Sequence, residues 1–211
     1  MALGFSENTG GSAITPIIKY DTRAGEFLRV DRSQDATGVW VKSEEEMQFP
    51  IKLAADFENI KVGWIGFVGG APDFHLATLD QPMPARPSPD HNQGFQLMVA
   101  NKDLGKREFC SGAKTVTVPM DALHSAYEAG KASNPGKVAV IEVTGAERYT
   151  VTTPNGDLTF KKPVWSITEW IDRPAVFDGG ETAPAIETAP APAVSAPAAP
   201  TPAAVSDDLS W

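Results

Sequence analysis

At 211 residues and 42% hydrophobic content, the chain is long enough for one sizeable domain or a domain with a tail. Eighteen Lys and Arg against 27 Asp and Glu give a net charge of −9, which excludes a surface that is basic over its whole extent.

In chain order, short alternating segments predict strands at 26–32, 38–42, 60–68, 94–100, 113–118, 137–143, 148–153 and 163–171. Turn signals DATG, NPG and PNGD separate several of them. Residues 80–94 are too rich in proline for a strand and predict a long loop, while EEE at 44–46 reads as a solvated loop. One helix is predicted over 119–130. Pro119 suits its first turn, Met120, Leu123 and Tyr127 recur at helical spacing, and Gly130 suits its stop. Strands, one helix and more strands predict a mainly β fold, an OB-fold-like small barrel with one helix between strands. A sandwich with an inserted helix fits the same order.

The body spans 1–177. Residues 178–205 form an Ala/Pro-rich linker without the large apolar side chains that would offset ordering entropy, so a disordered tail is expected. Residues 206–211, SDDLSW, form an acidic-aromatic tip. The acids Asp178, Glu181, Glu187, Asp207 and Asp208 belong to this tail. Without them the body carries 18 bases and 22 acids, a net of −4, which leaves room for a local basic face.

The start MALGFSENTGGSAITP has neither the basic region nor the apolar stretch of a signal peptide, and no apolar run approaches bilayer-spanning length. Cys110 is alone and cannot form an intrachain disulfide. A cytoplasmic protein without a membrane partner is expected.

Strand alternation places Phe27 with Arg29 and Trp40 with Lys42. If the two segments pair with those faces aligned, rings and cations share one surface, the pattern that single-stranded nucleic acid needs. Bases stack on rings and cations neutralise phosphates. Around it, Lys19, Tyr20, Arg23 and Arg32 fall in one window, and Lys106, Arg107, Phe109 and Lys114 cluster about a predicted hairpin turn. Trp170 alternates with Trp165, Ile167 and Ile171, so it is expected on the opposite face, as a further stacking ring. Burial under a loop explains the rings equally well, and charged strand edges explain the cations.

Other chemistries fail on spacing. GKASNPGKV at 130–138 is one residue too long for a phosphate-binding loop and has Val138 where a hydroxyl is required. His75, His91 and His124 lack metal-ligand spacing, although PDFH and PDH each pair an aspartate with a histidine. No catalytic motif, metal or cofactor is expected.

The strand-rich body, the Pro-containing linker and the tip Asp207, Asp208, Leu209, Ser210, Trp211 together resemble a bacteriophage-type single-stranded DNA-binding protein. Bacterial members of that class end Asp-Asp-Ile-Pro-Phe. IKYDTRAGEFLRVDR with NPGK is also similar to uncharacterised phage proteins of the replication region. The resemblance implies coating of single-stranded DNA with little sequence preference during phage DNA replication, recombination and repair, in the host cytoplasm. It further implies recruitment of replication and repair proteins through Asp207, Asp208, Leu209 and Trp211, with homo-oligomerisation open. The alternative is a structural or adaptor β-domain whose tail binds a partner without DNA.

Overall fold

The computed structural model describes residues 15–153 and 156–179. Of the predicted linker 178–205, residues 180–205 lie outside them, as does the tip 206–211. Among the described residues the chain is mainly β, with one α-helix. In order these are β1 (Ile17–Asp21), β2 (Glu26–Gln34), β3 (Trp40–Met47), β4 (Ile51–Ala55), β5 (Lys61–Val68), β6 (Ala71–Thr78), β7 (Asn92–Asn101) and β8 (Gly105–Ser111). Then come α1 (Lys114–Lys131), β9 (Lys137–Thr153) and β10 (Gly156–Asp172). Short 3-10 turns lie at Phe57–Asn59 and Ala175–Asp178.

The strands form one sheet in the order β10-β9-β4-β7-β8-β1-β2-β3, with β5 joined to β7 and β6 joined to β5. The sheet is not closed into a barrel, because β10 and β3 end the path. It curls nonetheless. Phe27 on β2 and Trp165 on β10 stand six strand positions apart, yet their ring centroids are 6.4 Å from each other.

Residues paired across strands share a face. The inner face carries Ile18 and Tyr20, Phe27, Leu53 and Ala55, Leu97 and Val99, Phe109, and Ile141 and Val143, all buried. α1 lays Val116, Met120, Leu123 and Tyr127 upon it. Burying each Val, Leu, Ile, Met or Phe side chain among them contributes about 1.5–3 kcal/mol.

Several expectations are corrected. Residues 113–118 are not a strand but mostly the first turns of α1. Val116 continues the helical spacing of Met120, Leu123 and Tyr127, so the core face extends one turn towards the N-terminus. Pro119 therefore lies inside the helix, and its carbonyl accepts the Trp165 indole N–H at 3.1 Å. Segments 137–143 and 148–153 are one strand with a register break at Thr144. Residues 44–46 belong to β3, exposed but paired with β2. On β10 a second irregularity at Thr168 shifts the alternation. Trp170 pairs with Ala139 and joins Trp165 and Ile167 on the inner face, not the opposite one.

β10 leaves the sheet through Arg173, whose guanidinium grips the buried Asp56 carboxylate with two hydrogen bonds of 2.9 and 2.8 Å. Those bonds raise the Arg173 pKa further above its already high value.

Candidate nucleic-acid interface

β1 pairs with β2 only as far as Val30, so residues 31–34 and 40–43 continue as a two-stranded arm. Its turn is built locally. The Asp35 carboxylate accepts hydrogen bonds from the Thr37 N–H at 2.8 Å, the Thr37 hydroxyl at 2.6 Å and the Val39 N–H at 3.0 Å. These bonds hold the Asp35 carboxyl below the usual range, the Thr37 hydroxyl first. Gly38 has φ 81°, a left-handed conformation that a side chain would strain.

The register beyond that turn pairs Gln34 with Trp40 and Arg32 with Lys42. Trp40, Arg32 and Lys42 thus share the outer face, and Lys19, beside Leu28 on β1, extends it. Trp40 is 53% exposed. Glu44 lies on the same face, where Lys42 binds it and Lys19 stands 4.0 Å away; Lys42 chiefly holds its carboxyl below the usual range. Glu46, paired with Leu28, is on this face too, so the outer face is one exposed ring among three cations and two glutamates.

The expected union of Phe27, Arg29, Trp40 and Lys42 does not form. Odd residues of β2 pair with odd residues of β3, which puts Phe27 and Arg29 opposite Met47 and Glu45, on the other face from Trp40. Phe27, Phe109 and Tyr20 are core rings; Phe109 packs on Phe27 at 5.7 Å and Tyr20 on Phe27 at 4.8 Å. Arg107 is buried, donating to the carbonyls of Val30 and Leu104 and pairing with Asp31 at 2.7 Å. None of these four can meet a base or a phosphate. Arg29 is half-buried and engages Asp31 and Glu45. Trp170 stacks on Tyr127 at 5.5 Å, with Gly130 leaving room for its ring.

Of the remaining predicted residues, Arg23 is exposed on the β1–β2 turn and Lys106 is half-buried on β8. Lys114 opens α1 and lines a groove of about 780 Å³ between that helix and β10.

A second arm was expected only in part, as a strand at 148–153 and the PNGD turn, without its return strand ahead of 163. Beyond Thr144, β9 and β10 run on as a hairpin with exposed Tyr149 and Leu158, in which Arg148 pairs with Lys161. This arm folds back onto the β1–β2 turn. The Lys161 backbone N–H donates to the Thr22 carbonyl at 2.7 Å, and its ammonium to the Ala24 carbonyl at 2.7 Å. Gly25 is required there, since a Cβ would lie 2.3 Å from the Lys161 side chain.

One cluster has the chemistry to hold a metal ion. Asp73 and His75 project from one face of β6, and His91 reaches them from the loop before β7, their ligand atoms all within 4.8 Å. His91 Nε2 lies 3.0 Å from one Asp73 oxygen and His75 Nε2 3.1 Å from the other. His91 and, less, His75 hold the Asp73 carboxyl below its usual range.

No family model, no curated protein and no solved structure matches this chain. No helix among the described residues is long and apolar enough to cross a membrane.

Proposed function

We propose that the chain is a single-stranded DNA-binding protein of OB type that coats DNA with little sequence preference. The observation that carries this reading is Trp40, half in solvent on the outer face of the β2–β3 arm, with Arg32 and Lys42 beside it and Lys19 further along the same face. An exposed tryptophan held by a locally fixed turn contributes little to folding, whereas its face offers a platform for a base. OB-folds bind oligonucleotides across strands 2 and 3, the hairpin that carries Trp40 here. Two features support an opened barrel of that type: the contact of Phe27 with Trp165 across the curled sheet, and the β10 arm bonded to the β1–β2 turn. Arg23, Arg148 and Tyr149, on or beside that second contact, lie at the other end of β2 from Trp40 and offer a second group of cations with a ring.

The function is one of phage DNA replication, recombination and repair. The segment Asp207–Trp211 recruits partner proteins, its ring entering an apolar pocket while its acids meet bases around it. A second reading, an adaptor without DNA, draws on exposed Val118, Tyr149 and Val164 around the groove beside α1.

Titration with a fluorescent oligo-dT separates the two. Trp40→Ala weakens binding roughly 5- to 150-fold, the equivalent of about 1–3 kcal/mol for one stacked base. Arg32→Ala and Lys42→Ala each reduce the steepness of the salt dependence by about 0.7 in log–log slope. Unchanged affinity and slope in all three variants moves the site away from this arm, and no binding by the wild type favours the adaptor.

A further inference from the structure

We propose that Asp73, His75 and His91 form a divalent transition-metal site, of the chemical class that binds zinc, which fastens the loop at 79–91 to β6. Two imidazole nitrogens and one carboxylate are a donor set that zinc accepts, with one position left for water or a further ligand. Strand alternation supplies the first two ligands, since Asp73 and His75 are two residues apart on β6.

The third ligand is placed by packing. His91 is only 2% exposed, and its ring lies over β5, where a Cβ on Gly66 would come within 2.7 Å of it. Gly66 is itself paired with Asp73, so the space that glycine leaves is the space the ring fills. Outer contacts fix the ring's direction. Its Nδ1 lies 2.9 Å from the Ser88 hydroxyl, and Arg86 donates to the His91 carbonyl at 2.9 Å while its guanidinium covers the Trp64 ring at 5.1 Å. Trp64 in turn donates to the Pro84 carbonyl at 2.9 Å. The loop is thereby locked with Nε2 of His91 aimed at Asp73.

Proton accounting is compatible with a cation. Without an ion, the Asp73 carboxylate is placed to accept from an Nε2–H of each imidazole. A divalent ion replaces both donors when each ring carries its proton on Nδ1 instead. For His91 the Ser88 oxygen is already in position to accept that proton, the outer-partner arrangement common to metal-bound histidines. Ligand atoms around a tetrahedral zinc are roughly 3.3 Å apart, given metal–ligand bonds of about 2.0–2.1 Å. The contact of His91 with its Asp73 oxygen opens by about 0.3 Å to reach that spacing, and the His75 nitrogen, now on the other carboxylate oxygen, shifts to share the ion. His75 is 42% exposed and free to swing towards His91.

The test uses the full chain, freed of metal by a chelator and titrated with Zn2+ in competition with a chromophoric chelator. Histidine-selective NMR is recorded in parallel. One Zn2+ per chain is expected, with the imidazole signals of His75 and His91 shifting together and that of His124 unmoved. His75→Ala, at an exposed position, lowers the affinity at least tenfold while the chain stays folded. Ser88→Ala lowers it about 10- to 100-fold, because the outer partner is lost. Zn2+ raises the melting temperature of the wild type and not of His75→Ala. Failure of the wild type to bind one equivalent overturns the site, as does binding that His75→Ala leaves intact.

Discussion

Replacing Arg173 by alanine strands the Asp56 carboxylate. Asp56 is 4% exposed and sits between the end of β4 and the turn at Phe57–Asn59. Its charge is met by two guanidinium nitrogens, at 2.9 and 2.8 Å, and by the Asn59 amide at 3.2 and 3.0 Å. Without Arg173 only that neutral amide remains. Removing one partner of a buried ion pair costs about 3–5 kcal/mol, since the remaining charge is left desolvated. Arg173 also reaches Asp178 at 2.8 Å, but that carboxylate is mostly in water and its loss costs under about 1 kcal/mol. Urea unfolding followed by tryptophan fluorescence measures both. With a slope of about 1–3 kcal/mol per molar, Arg173→Ala lowers the midpoint by at least about 1 M, and Asp178→Ala moves it by a fraction of that. The double variant Arg173→Met with Asp56→Leu recovers most of the loss, because no unpaired charge remains. An Arg173→Ala cost below about 1 kcal/mol, or equal costs for Arg173→Ala and Asp178→Ala, refutes the reasoning.

Asp31 is held below the usual carboxylate range: burial pushes its pKa up, and hydrogen bonds from Arg107 and Arg29 more than offset that. A depressed folded pKa stabilises the fold fully above about pH 3.9 and loses that contribution as pH falls through the lower folded value. Asp31→Asn therefore costs about 1.5–3 kcal/mol at pH 7, and the difference from wild type shrinks in acid; a penalty independent of pH contradicts the pairing. Burial, and then Glu108, push the Cys110 thiol up to about 11. Its alkylation by iodoacetamide at pH 8 is expected to be on the order of a hundredfold slower than that of a free thiol, and to recover in urea. Alkylation at the free-thiol rate in the folded protein contradicts that burial.

The long strands were legible because runs of β-branched, aliphatic and aromatic residues mark β2, β5, β7 and the first half of β9. Shorter or mixed strands were not. β4 reads IKLAA, with two residues of weak β preference, and β6 has a proline, Pro72, as its second residue, tolerated because β6 lies at an edge, paired with β5 alone. Pro119 marked the wrong end of the helix, since the side chain in step with the core was Val116, three residues earlier. Faces failed where an extra residue enters a strand. Nothing local to Thr168 announces the irregularity that turns Trp170 inward, and the parity of the β2–β3 turn decides whether Trp40 joins Arg29 or Arg32. The exposure of Trp40 was legible from its alternation with Lys42. Tyr20, Phe27 and Phe109 were not, because a ring beside cations in sequence can still be the ring that fills the core. Asp73 and His75 share a face by alternation, which the sequence does hold. His91 joins them only through a loop whose path depends on Gly66, Ser88 and Arg86.

The most direct test of single-strand binding is an equilibrium titration of residues 1–177 and of the full chain with oligo-dT, from low to moderate salt. Binding at low salt is predicted for both, with log K falling linearly as log salt rises and with the shorter chain binding at least as tightly as the full one. No saturable binding by either at low salt contradicts the proposed function.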